Sequence, residues 1–324
     1  MPSGSILVTG ATGVVGRRLV PLLRRAGHDV TAVARTPTGS VQLARQGANA
    51  IDLDLFDRDA VRRAVVGHEA IVNLATHIPR STAQMFLPWA WWENDRLRAV
   101  ASSTLVEACI TADVSRLIQE SFAPVYPDCG DRWIDETIPI RPVRYNRTVA
   151  HAEAAADRFS RSGRTGVVLR FGSFHGPDAV QTVDLITWVK RGWAPMPGPA
   201  GAYISSVTHD DAATAVAAAL TLPSGIYNVV DDEPVTHRAF ADSLADALHV
   251  PSPRFPPQWV TPLFGSLGQM LARSLRISNR KLRSAADWAP QHPGVRKGWS
   301  SVVAQVSAAE SRVSQGVALD KKTL

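Results

Sequence analysis

Lysine is scarce in this chain: of 35 basic residues over 324 positions only five are lysine, and none precedes Lys190. Cysteine is scarcer still. Cys109 and Cys129 supply neither a disulfide framework nor a metal-binding set, so no structural metal is expected and the usage fits a reducing compartment. There is no apolar run of about 18 residues to cross a bilayer. Met1-Pro2-Ser3-Gly4 leads straight into an apolar strand without a signal-peptide pattern, and the expectation is a cytoplasmic location. The formal charge is +6, but the arginines are spread over many segments and not gathered into a tract, which argues against a nucleic-acid surface. No internal repeat is present. With 45% apolar residues the chain can bury a large core.

What the chain does have is a glycine-spaced turn in a telling place. The run Ile6-Leu7-Val8-Thr9 ends in Gly10-Ala11-Thr12-Gly13-Val14-Val15-Gly16, and a helix follows with its apolar face at Val15, Leu19, Leu22 and Leu23. Gly10 permits a tight turn. Gly13 lets backbone N–H groups approach a pyrophosphate, and Gly16 lets the helix pack close while its N-terminus faces negative charge. Strand, glycine turn, helix and a second strand at Val30 to Ala34 together point to a dinucleotide.

Apolar runs near 5–9, 30–34, 49–52, 70–74, 115–119 and 166–170 alternate with helical patterns, which predicts an α/β fold with a doubly wound parallel sheet of Rossmann type, its ligands along the strand C-termini. Residues 1–175 with 205–230 are assigned to a cofactor domain. Residues 176–204 with 231–300 form a smaller, discontinuous substrate domain. The stretch from about Ala308, given as 308–324, is polar without a sustained apolar period and reads as a frayed tail.

The GxxGxxG spacing resembles the short-chain dehydrogenase/reductase superfamily, in its extended, epimerase/dehydratase-like branch. Asp52-Leu53-Asp54, Asn73-Leu74-Ala75, Phe171-Gly172-Ser173-Phe174-His175-Gly176-Pro177, His209-Asp210-Asp211-Ala212-Ala213, Tyr227-Asn228-Val229-Val230, Ser278-Asn279-Arg280-Lys281 and Trp288-Ala289-Pro290 follow in the order that branch uses. The resemblance implies that Gly10, Thr12, Gly13, Val14, Val15 and Gly16 bind the cofactor, that Asp54 and Leu55 hold an adenine edge, and that Leu74, Ala75 and Thr76 run under the nicotinamide ribose. At the end of the second strand stands Arg35, where an NAD enzyme usually offers an acid. A guanidinium there clamps a 2′-phosphate, so NADP is expected over NAD, with Arg17 and Arg18 as other phosphate partners.

The family's proton chemistry uses Ser or Thr with a YxxxK pair, because a phenol near pKa 10 needs an ammonium one helical turn away to work at neutral pH. Here Tyr145 is kept and the lysine position is Val149, which marks an atypical member. Counting back from Tyr126, the serine position falls on Phe122, with Ser121 adjacent. Arg144, Arg147 and His151 lie near Tyr145 but not at its i+4 position. His175, at a strand C-terminus, is a candidate acid or base, as more weakly is His77.

Three readings stay open: an NADP-dependent oxidoreductase or epimerase-like enzyme using Tyr145 with Ser121 or His175; the same scaffold with displaced chemistry, the proton coming from His175 or from the substrate; and a cofactor-binding redox sensor or partner-binding protein. The aromatic run Met85-Phe86-Leu87-Pro88-Trp89-Ala90-Trp91-Trp92 reads either as a lid or as packing. Arg191, Arg254 and Arg273 form no clear pyrophosphate-binding pattern, which favours a non-nucleotide small molecule as substrate. Helices containing Leu97 to Cys109 and His151 to Phe159 match those with which the extended branch builds a homodimer.

Overall fold

In a computed structural model, the backbone of residues 4–79 and 81–320 and the side chains through residue 308 are described. Strands β1 (Ser5–Thr9), β2 (Asp29–Val33), β3 (Asn49–Ile51), β4 (Ala70–Asn73) and β5 (Arg116–Phe122) join Thr165–Phe171 and Gly225–Val229 in a seven-stranded sheet. Read across the sheet, the order is Gly225–Val229, Thr165–Phe171, β5, β4, β1, β2, β3, every pairing parallel. The strand order reverses at β1, and there the C-terminal edge opens a crevice for a ligand.

Strands β1, β4 and Thr165–Phe171 are rich in Val, Ile and Leu because both faces are covered. On one face, helix α1 (Gly16–Arg25) and the helix His209–Ala218 bury Leu19, Val20, Leu23, Ala212 and Val216 against Ile6 and Val8. On the other, helices Arg58–Val65, Ser102–Thr111 and Val149–Arg161 bury Val61, Leu105, Cys109 and Phe159 against Leu7 and Ile71. Each such aliphatic side chain stabilises the fold by roughly 1.5–3 kcal/mol before entropy is set against it. Burial pushes the Cys109 thiol up to about 12, which leaves it unreactive.

A separate core holds the helices Val180–Lys190, His237–Leu248 and Val295–Asp320 together through Ile186, Val189, Phe240, Leu244, Trp299 and Val302. The last helix runs on to Asp320 through the stretch that the sequence presents as a frayed tail, and residues 321–324 lie outside the described residues. The outward face of the pair Ser102–Thr111 and Val149–Arg161 is polar: Glu107 is paired with Arg58, and Arg158 bonds the Ser103 hydroxyl. Among the described residues no helix is long and apolar enough to cross a membrane.

Candidate active site

The glycine turn shapes a cradle. Gly10 sits at φ +65, and a Cβ there would lie 2.3 Å from the Leu74 carbonyl oxygen; one on Gly16 would lie 2.3 Å from the Gly10 oxygen. Helix α1 begins at once, with no side-chain cap and no acidic residue in its first turn, so its N-terminal partial positive charge is uncompensated locally. A cleft of about 370 Å³ opens above this turn, and Gly10, Thr12, Gly13, Arg35, Asp54, Leu55, Leu74, Ala75 and Thr76 all line it. Val14, Val15 and Gly16 do not. Val15 is buried in the core, Val14 packs against it, and Gly16 meets the turn itself; these three shape the turn and offer only backbone to a ligand.

The cleft gains residues that the sequence reading did not assign to it. Val33, Asp52, Leu53, Phe56 and Leu97 complete its wall. Asp54 accepts the Phe56 backbone N–H at 2.9 Å, which fixes the loop beneath the cleft. Arg35 is exposed and its Nη1 lies 2.8 Å from Glu93 Oε1, with the His77 ring on the same carboxylate at 3.2 Å. Arg17 and Arg18, the other phosphate candidates, are held away by Asp178 and Asp210. Arg35, held by Glu93, is thus the one of these three arginines that lines the cleft. Glycine cradle and open helix terminus fit a dinucleotide.

The reaction end departs from the sequence reading in three places. Tyr145 is not on a helix with Val149: it lies in the 3₁₀ turn Arg144–Asn146, and Val149 begins the following helix as a fully buried core residue. Arg144, Arg147 and His151 are all exposed. The Tyr145 ring packs edge-on to Trp91, centroids 4.7 Å apart, and burial holds its phenol above the ordinary tyrosine range, with Arg98 pulling the other way. It is protonated at neutral pH, a donor and not a base.

Ser121 does not converge with Tyr145. Its hydroxyl donates to Glu153 at 2.5 Å, in a buried network where Arg170 clamps the same carboxylate at 2.8 and 2.7 Å and bonds the Tyr126 hydroxyl at 2.7 Å. His175 is corrected as well. It is 2% exposed, its ring lies 5.2 Å from that of Trp299, and neither ring nitrogen has a partner among the described residues. Desolvation lowers its pKa to about 4, so it is a neutral residue packed against Phe240 and Trp299.

His209 and His237 share this state, lowered by burial to about 3 and about 4. All three take up protons in the unfolded chain near pH 6.5 but not in the folded one, so stability is intact above about pH 6.5 and falls as pH drops toward 4. Each group contributes about 1.4 kcal/mol per pH unit in that window. Chemical denaturation repeated from pH 7 to pH 4.5 is expected to show a steep loss; a flat profile between pH 7 and 5 would contradict the buried neutral state.

A residue the sequence reading passed over stands nearest the phenol's electrostatics. The helical stretch from Trp92 to Thr111 contains a π-helical turn, Leu97–Ala101, which turns Leu97 into the cleft and buries Arg98 against Glu120 at 3.0 Å. Arg98 Nε and Glu120 Oε2 are buried without partners among the described residues. An arginine inside the run Leu97-Arg98-Ala99-Val100-Ala101 was the available signal. Of the aromatic run, Trp91 is buried with its indole N–H on the Met85 carbonyl, whereas Trp89 and Trp92 are exposed.

Comparison with known proteins decides the family. The model of the NAD dependent epimerase/dehydratase family matches residues 6–229. The chain belongs to that family. A curated relative from a Streptomyces species, 3-diazoavenalumate denitrifying reductase, is 32% identical over 305 residues, covering 90% of this chain and 98% of its own. The Thermus thermophilus UDP-glucose 4-epimerase in complex with NAD superposes with a TM-score of 0.75 at 26% identity, over 94% of this chain and 99% of that one. Human epimerase family protein SDR39U1, solved with NADPH, gives 0.76 at 21% identity over 92% and 98%. Structural neighbours of the chain thus bind NAD in some cases and NADPH in others.

Proposed function

We propose that this chain is an NADP(H)-dependent reductase of a small, non-nucleotide metabolite. The observation that carries the reading is Arg35, a cation on the wall of a glycine-cradled cleft where an acid would favour NAD, exposed and held only by Glu93 at 2.8 Å. When bound, the nicotinamide supplies hydride. Gly10 and Gly13 would admit its pyrophosphate to the N-terminus of α1, Arg35 would hold the 2′-phosphate, and Leu74, Ala75 and Thr76 would lie beneath the nicotinamide ribose. Arg191 and Arg254 are exposed and line neither cavity, Arg191 lying over Trp188, which supports a substrate without a pyrophosphate of its own.

For a carbonyl acceptor, Tyr145 donates the proton to the oxygen that gains charge, and buried Arg98 compensates the phenolate left behind. Tyr145→Phe is expected to leave NADPH affinity unchanged and to lower carbonyl-dependent NADPH oxidation by about 10²–10⁴-fold. A second reading has its own observation: Val149 and the engaged Ser121 leave Tyr145 without its usual company, and the Streptomyces relative is named for denitrifying a diazo compound. Hydride delivered to a carbon that loses dinitrogen creates no oxyanion, and no protein acid is required. Undiminished turnover in Tyr145→Phe would select this second reading.

A further inference from the structure

We infer that the mostly apolar cavity walled by Pro124, Met196, Tyr203 and Met270 and carrying Arg273 and His237 is the substrate site, and that it selects a small, largely apolar monocarboxylate. The inference rests on the reductase reading and names its substrate class. The cavity measures about 110 Å³, well under the roughly 300–1,000 Å³ of sites that hold drug-sized ligands, and too small for a nucleotide sugar. It abuts the Tyr145 turn. Asn146 donates to the Pro124 carbonyl at 3.1 Å and lies 3.5 Å from Met270 Sδ, so two cavity walls are fastened to the residue beside Tyr145.

Besides Tyr203 and the serines Ser173 and Ser205, two nitrogen-bearing side chains break the apolar lining, and they differ in kind. His237 is 3% exposed, and its Nδ1 has no partner among the described residues. Burial keeps it neutral, so it offers a hydrogen bond and no charge. Arg273 is half-buried, with Nη1 on the Tyr126 carbonyl at 2.7 Å. Burial and the neighbouring Arg141 both weigh against its charge, opposed by Asp128, whose carboxylate already accepts the backbone N–H groups of Gly130 and Ser274 at 2.9 and 3.2 Å. A guanidinium so placed is under-compensated, and one carboxylate on the ligand satisfies it. A single cation in a small apolar space fits one negative charge on an apolar body, not a diphosphate.

The test is isothermal titration of the full chain, saturated with NADPH, with cinnamate, methyl cinnamate and UDP-glucose as probes. Cinnamate is expected to bind about tenfold or more tightly than its ester. Arg273→Met is expected to erase that difference while NADPH affinity holds, and Arg273→Lys to keep part of it. Equal binding of acid and ester, retained discrimination in Arg273→Met, or preferential binding of UDP-glucose would each overturn the inference. Should Arg273→Met fail to fold, the acid-against-ester comparison on the native chain decides. Failure of NADPH itself to bind is read separately and strikes the cofactor reading, and the same comparison on the unliganded chain still judges the cavity.

Discussion

Arg170→Met is expected to destabilise the protein by about 3–5 kcal/mol, because it leaves the Glu153 carboxylate buried without its cation. The two side chains are 4% and 9% exposed, and the pair is bidentate, Nε to Oε1 at 2.8 Å and Nη2 to Oε2 at 2.7 Å. The third guanidinium nitrogen holds Tyr126, whose hydroxyl reaches Asn228 at 2.9 Å, so one substitution unsettles the contact among β5, the helix Val149–Arg161 and two further strands. Burial pushes the Tyr126 phenol up to about 12, against the pull of Arg170. Urea denaturation reads the loss directly, and Arg170→Met with Glu153→Leu is expected to recover much of it. Ser121→Ala removes one hydrogen bond to Glu153 and is expected to cost about 1–2 kcal/mol with turnover unchanged. Loss of turnover at unchanged stability in that variant would restore Ser121 to catalysis.

Gly10→Ala is expected to abolish measurable NADPH binding. At φ +65 an alanine is disfavoured by about 1–2 kcal/mol, and its methyl would stand 2.3 Å from the Leu74 oxygen, a backbone atom that cannot swing aside. Relief requires the turn to move off β4, and the turn is what faces the pyrophosphate. Gly201→Ala is the matched control: its added methyl meets open space and its φ is ordinary. Fluorescence titration of both variants with NADPH separates the outcomes, and unchanged affinity in Gly10→Ala would remove the glycine turn from the binding site.

Much of this was legible in the chain because its signals are local. Both-sided burial enriches a parallel strand in Val, Ile and Leu, and the runs at β1, β4 and Thr165–Phe171 are such strands. The glycine turn is also contiguous, and so is Arg35 at the end of β2. What escaped is what the fold assembles over distance. The partner of Ser121 is Glu153, on a later helix, and nothing near Ser121 announces it. His175 looks like a loop acid until Trp299, from the last helix, covers it. The π-turn that buries Arg98 has no sequence signature beyond an arginine among apolar neighbours. Spacing singles out Tyr145, but its place in a 3₁₀ turn ahead of the helix is a tertiary outcome, fixed by Asn146 reaching the Pro124 carbonyl.

The measurement that tests the central claim most directly is calorimetric titration of the native chain and of Arg35→Ser with NADPH and NADH. The account predicts that the native chain binds NADPH about tenfold or more tightly than NADH, and that Arg35→Ser removes the difference by weakening NADPH alone. Binding of neither cofactor, or a preference for NADPH that survives in Arg35→Ser, would contradict it.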